Sequence, residues 1–198
     1  LLGDCHTHLD HYSLDEMPGI LERAREVGVG FIVCAGTTLD STRACIDLAR
    51  QHDMLYAGVG IHPMQANDPV DERTYAELES LAKDSPKVVC ISEVGLDFLP
   101  SSPEHSIQYQ VFREHIRLAR SLKLPIIFHS RESHPEVFQT LREEGADEVG
   151  GVMHYFQGDE ATARQAIDGG FFISLARPLL RLPELQDVAK AIPLENIV

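Results

Sequence analysis

Short apolar runs alternate with longer stretches of helical period along the whole chain. Runs rich in β-branched and apolar residues at 1–8, 31–35, 55–61, 88–93, 125–129, 151–154 and 171–175 predict seven strands, and an eighth begins near residue 196. Between them, apolar positions recur every three to four residues at 14–27, 39–51, 71–83, 103–122, 134–144, 159–167 and 183–191, predicting seven helices. Gly28, Gly145 and the Gly169–Gly170 pair follow helices, where a left-handed residue ends the last turn. Asp159 and Ser133 precede helices as N-caps.

Strict strand–helix alternation predicts a parallel sheet with crossover helices. With no linker composition or short repeat, the expectation is one domain over 1–198, an α/β fold of the TIM-type (β/α)8 barrel. A doubly wound open sheet is the alternative, but its first turn needs a Gly-x-Gly-x-x-Gly run, and this chain has histidines there.

Composition narrows this picture only slightly. At 198 residues and 43% apolar content the chain can bury one sizeable core. A net charge of -14 argues against a protein held to nucleic acid mainly by its own basic side chains. Bound divalent cations would reverse that balance locally. Cys5, Cys34, Cys45 and Cys90 form no Cys-x-x-Cys pair, and Cys34 and Cys90 lie in apolar runs, so reduced buried thiols are expected. No signal-peptide pattern opens the sequence and no apolar run approaches the ~18 residues of a membrane span. The expectation is a cytoplasmic protein without a membrane or an obligate protein partner.

Chemistry concentrates at the predicted strand ends. In Asp4-Cys5-His6-Thr7-His8-Leu9-Asp10, period-two alternation puts His6 and His8 on one face, with Cys5 and Thr7 directed towards the helical shell. Two convergent imidazoles need one or two further ligands to hold a transition metal. Three other strands end on ionisable groups: Glu93, His129 and His154. Barrels of this class build their active sites at the carboxyl ends of the strands, each strand supplying single residues to one pocket. As core packing, four histidines and a glutamate would leave unpaired polar atoms in an apolar interior. His11, His52, His105, His115 and His134 fall in loops or helices, where solvated or partly packed rings are expected. Glu143 and Glu144 are expected on the solvated surface.

The ordered set resembles the TatD-like metal-dependent hydrolases of the amidohydrolase-related superfamily. The resemblance runs through His6-Thr7-His8, Val59-Gly60-Ile61-His62-Pro63, Ser92-Glu93-Val94-Gly95-Leu96-Asp97, Gln110 with Phe112, Leu124-Pro125-Ile126-Ile127-Phe128-His129-Ser130-Arg131 and Gly151-Val152-Met153-His154-Tyr155-Phe156. It implies two divalent metal ions, with His6 and His8 on the first, Glu93 bridging, and His129 with His154 on the second. Zn, Mn, Mg or Ni would serve, imidazole-rich ligation favouring the transition metals. For several family members the resemblance implies deoxyribonuclease activity, with exonucleolytic action as one form of it, so DNA or another phosphodiester is the expected transient partner. His62 is expected to contact substrate or donate a proton. Arg131 is expected to pair with a phosphate. Asp10 and Asp97 are expected to orient ligand histidines.

Two features depart from the family pattern. That pattern continues past 193–198 into a strand-end aspartate that completes the first metal site, so the expected barrel is truncated within its eighth strand, lacks its last helix, and binds the first metal weakly. Family members also often carry Cys and Ser where this chain has Tyr155 and Gln157. An amidohydrolase-like hydrolase of a small ester, amide or lactone is the alternative activity, since an activated water attacks carbonyl carbon as readily as phosphorus. An inactive metal-binding scaffold is the alternative of another class.

Overall fold

A computed structural model describes residues 2–198. Leu1, placed in the first predicted strand, lies outside the described residues. Strands β1 (Leu2–Thr7), β2 (Val29–Ala35), β3 (Leu55–Val59), β4 (Val88–Asp97), β5 (Ile126–Arg131), β6 (Gly151–Met153) and β7 (Phe171–Ile173) join in that order, every pair parallel. The sheet is therefore a curled half-barrel of the TIM type. A doubly wound sheet would reverse its strand order at a switch point, and no reversal occurs among the described residues. Near residue 196 the chain makes a short 3-10 turn (Leu194–Asn196), after which Ile197 pairs once, in parallel, with Ile173.

The crossover helices are α1 (Met17–Glu26), α2 (Leu39–Gln51), α3 (Glu72–Lys83), α4 (His105–Leu122), α5 (His134–Glu143), α6 (Glu160–Asp168) and α7 (Pro183–Ala191). Their starts are chemical. Thr38, Asp71 and Asp159 accept from the backbone N–H three residues on, at 3.0, 2.8 and 2.8 Å, satisfying donors that the first turn leaves free. Ser133 does precede α5, but its hydroxyl donates instead to the Leu96 carbonyl at 2.9 Å, tying α5 to β4. Gly28, Gly145 and Gly170 take positive φ values of 87, 67 and 85° after their helices.

Strand alternation sorts the apolar residues into two layers. Ile32, Cys34, Leu55, Ala57, Ile91, Ile126 and Phe128 point outward and pack under the helices in the main core. Their alternates Val33, Cys90 and Ile127 form a small second cluster inside the curl. Cys34, Cys45 and Cys90 are buried free thiols, as their apolar surroundings imply. No helix among the described residues is long and apolar enough to cross a membrane.

Two surface expectations fail. His115 lies on the inner face of α4 with 0% exposure. Its Nδ1 donates to the Val111 carbonyl at 2.7 Å, and burial pushes its pKa down to about 4. Glu144, expected in solvent, accepts from Arg113 at 2.7 Å and Arg117 at 2.8 Å and clamps α5 against α4. A helical stripe shows which positions face inward but not which polar side chains a neighbouring helix will recruit.

Candidate metal centre

Glu93 sits in the middle of β4, 4% exposed, and its two oxygens face two groups of imidazoles. Oε2 lies 3.1 Å from His6 Nε2 and 3.5 Å from His8 Nε2. Oε1 lies 3.2 Å from His129 Nδ1 and 3.5 Å from His62 Nε2. Burial opposes ionisation of Glu93, but hydrogen bonds with His129, His6, His62 and His8 outweigh it and hold the carboxyl well below its ordinary range.

The first strand reaches this carboxylate through an irregularity. Asp4 pairs with Ile32 and Thr7 with Cys34, so three steps on β1 match two on β2. One inserted residue shifts the alternation. His6 and His8 still share the inner face, their Nε2 atoms 3.3 Å apart, and the Thr7 hydroxyl donates to the Val33 carbonyl at 3.1 Å. Cys5, expected in the helical shell, lies instead beside Ser174 and the inward Cys90.

Ring partners fix where several lone pairs point. His8 Nδ1 donates to the Ala35 carbonyl at 3.3 Å, leaving Nε2 free to bind towards Glu93, and hydrogen bonding to Glu93 raises the His8 pKa. His129 Nε2 donates to Asp97 Oδ2 at 2.9 Å, leaving Nδ1 as the donor atom towards Glu93. Asp97 is anchored by the Ser102 hydroxyl at 2.7 Å and the Leu99 amide at 3.1 Å. Burial resists its ionisation, and these bonds together with His129 lower its pKa nonetheless. The Met64 amide donates to His62 Nδ1 at 3.1 Å, so the neutral His62 ring carries its proton on Nε2, facing the centre.

His6 and His154 are arranged differently. Their rings stack with centroids 3.5 Å apart, and the Nδ1 atom of each is buried without a partner. The structure thus places His154 within 4.8 Å of His6 and Glu93, whereas the resemblance grouped it with His129. Burial, then the neighbouring His6, pushes the His154 pKa down to about 3, so its ring stays neutral.

The remaining candidates divide. Arg131 is half exposed, its Nη1 3.8 Å from Asp97 Oδ2, at the rim. Asp10 does not reach a ligand histidine: its carboxylate accepts from the Ser41 hydroxyl at 2.6 Å and the Cys34 thiol at 3.8 Å, so it secures the start of α2. Gln108 was missed. Fully buried, it accepts from the Asp97 amide at 2.8 Å and donates to the Asp97 carbonyl at 2.9 Å, fixing the end of β4. Its signal was a polar residue on the stripe that continues through Val111, Phe112 and His115. Gly95 allows β4 to close on β5 beside the site: at φ 139° a Cβ there would lie 2.0 Å from the His129 carbonyl oxygen.

The donor set fits divalent metal. The His6, His8 and His154 rings gather on one side of the Glu93 carboxylate, with the Nε2 atoms of His6 and His8 3.3 Å apart, a nitrogen-and-oxygen donor set that suits a divalent transition metal. A TIM-type barrel with this cluster at the carboxyl ends of its strands is the scaffold of a metal-dependent hydrolase. The chain belongs to the TatD-related DNase family, whose model matches residues 3–198. It is 34% identical over 201 positions to the Bacillus subtilis metal-dependent hydrolase YabD, covering 100% of this chain and 78% of that one. It is 28% identical over 208 positions to a human protein named deoxyribonuclease TATDN3, covering 99% of this chain and 75% of that one. The crystal structure of the Escherichia coli TatD homologue YjjV superposes with a TM-score of 0.92 at 27% identity, covering 100% of this chain and 77% of that one.

Proposed function

We propose that this chain is a phosphodiesterase acting on DNA, with two divalent metal ions held on either side of Glu93. The observation that carries the reading is the division of labour in one carboxylate: Oε2 faces His6 and His8, and Oε1 faces His129. His6, His8 and His154 would hold metal on the first side and His129 on the second, Glu93 joining both. When bound, such a pair supplies Lewis-acid polarisation of a phosphoryl oxygen and a water made nucleophilic near neutral pH.

The chain's own groups supply orientation and proton transfer. Asp97 accepts a hydrogen bond from the His129 Nε2–H, which keeps Nδ1 unprotonated and aimed inward. His62 presents an Nε2–H, held by the Met64 amide behind it, and donates to a phosphoryl or leaving oxygen. Arg131, half exposed and loosely paired, offers a planar fork to a phosphate arriving at the rim. A net charge of -14 leaves little general attraction for DNA, so binding depends on these local cations.

Hydrolysis of a single-stranded oligonucleotide and of bis(p-nitrophenyl) phosphate, with and without Mn²⁺ or Zn²⁺, tests the reading in wild type and Glu93→Gln. Metal-dependent turnover lost in the variant supports it. Stoichiometric metal uptake with no turnover of either substrate would make the chain a metal-binding scaffold.

A further inference from the structure

Tyr155 and Gln157 lie in one cavity of 320 Å³ with Arg177, Pro178, Arg181 and Leu182. The cavity borders the metal centre. Tyr155 follows His154 directly, their ring centroids 5.8 Å apart. The Phe156 amide donates to the Ser174 carbonyl and the Ser174 amide to the Met153 carbonyl, both at 3.0 Å, which knits the segments after β6 and β7 into one wall. Arg177 opens the 3-10 turn Arg177–Leu180 on that wall, and Arg181 follows it.

Three properties set this wall apart from ordinary solvated surface. Both arginines are exposed and, among the described residues, without an ion-pair partner; Arg23, Arg25, Arg73 and Arg142 share that state, but Arg177 and Arg181 stand together in one cavity. No carboxylate lines the cavity, although the chain has 31 acidic residues against 17 basic ones. Tyr155 has a positive φ of 52° with 39% of its surface exposed, a backbone conformation that a bulky residue keeps only when its surroundings impose it.

We infer that this cavity is a subsite for the nucleotide next to the scissile phosphate of a single strand, the base stacking on Tyr155 and its phosphate held by Arg177 and Arg181. The assignment rests on the phosphodiesterase reading for the neighbouring centre. A planar guanidinium matches phosphate oxygens bidentately. An aromatic face accepts any base, and aromatic stacking beside a cationic groove is how single strands are bound without sequence preference. Gln157 adds an amide able to donate to phosphate or to a base edge.

The test is binding of a fluorescent phosphorothioate oligothymidylate to the metal-loaded chain, by anisotropy over a salt series, beside turnover of methyl p-nitrophenyl phosphate, whose non-leaving arm has neither a ring to stack on Tyr155 nor a second phosphate for the arginines. The Arg177→Ala/Arg181→Ala variant should bind at least about tenfold more weakly, and the slope of log affinity against log salt should shrink by about 0.7 for each phosphate that the arginines no longer neutralise. Tyr155→Ala should weaken binding about tenfold with the slope unchanged. Small-diester turnover should match wild type in both, which also reports an intact fold. Wild-type affinity and slope in the double arginine variant would overturn the subsite. Failure of the wild-type chain to cleave either diester would instead defeat the phosphodiesterase reading, and the binding series would still decide whether the cavity holds a strand.

Discussion

The two sides of Glu93 are built in different ways. On the Oε1 side every imidazole has its outer nitrogen engaged: His129 by Asp97, itself held by Ser102 and Leu99, and His62 by the Met64 amide. On the Oε2 side His8 alone is engaged, through Ala35, while the Nδ1 atoms of His6 and His154 are buried without partners and their rings stack at 3.5 Å. Hydrogen bonds to the outer nitrogen fix a ring's tautomer and aim before any ion arrives. The Oε1 side is therefore organised by hydrogen bonds from the surrounding protein, and the Oε2 side leaves the His6 and His154 rings without that support.

Removing one imidazole from each side should break this comparison most sharply. His6→Ala and His129→Ala should each lower phosphodiester turnover by about a thousandfold or more, because groups acting as a unit fail together. Metal content by elemental analysis should fall from two ions to one in each; loss of all metal in both would mean a single ion. His62→Gln should lower turnover about a hundredfold with metal content unchanged, since its proton-bearing Nε2 is a donor rather than a ligand. Metal loss in that variant, measured the same way, would place His62 among the ligands. Asp97→Asn should weaken metal binding by about tenfold. Competition with a fluorescent chelator measures this, and Asp10→Asn, whose carboxylate serves Ser41, should leave the affinity unchanged.

A buried histidine outside the site serves as a calibrant. The His115 pKa is pushed from 6.5 to about 4 by burial, so between those values the unfolded chain binds the extra proton. Stability from this group is complete above pH 6.5 and is lost as pH falls towards 4, by up to about 1.4 kcal/mol per pH unit. Urea unfolding of the chelated chain at stepped pH should show that slope, reduced in His115→Leu. An unchanged slope in the variant would assign the acid sensitivity to the site histidines instead.

Much of this was legible in the residues. Period alone located α2 and α7 to the residue, and the strand-end positions of His6, His8, Glu93, His129 and His154 do converge on one point. The misses have local causes. An inserted residue in β1 reverses the facing of Cys5, and no composition signal marks a bulge between Asp4 and Thr7. His115 and Gln108 sit on an apolar stripe where the pattern shows burial but not whether a polar residue has found a partner. Asp10 stands two residues from His8, yet the chain turns after β1 and carries it towards Ser41. Strand order does not encode the stacking of the His154 ring on His6, which brings the ends of β1 and β6 together.

The most direct measurement of the central claim is a titration of the chelated chain with Mn²⁺, wild type beside Glu93→Gln, with DNA hydrolysis followed in the same samples. Glu93 joining two metal sites predicts two ions per wild-type chain, at most one in Glu93→Gln, and turnover at least about a thousandfold lower in the variant. Two ions and retained hydrolysis in Glu93→Gln would contradict it.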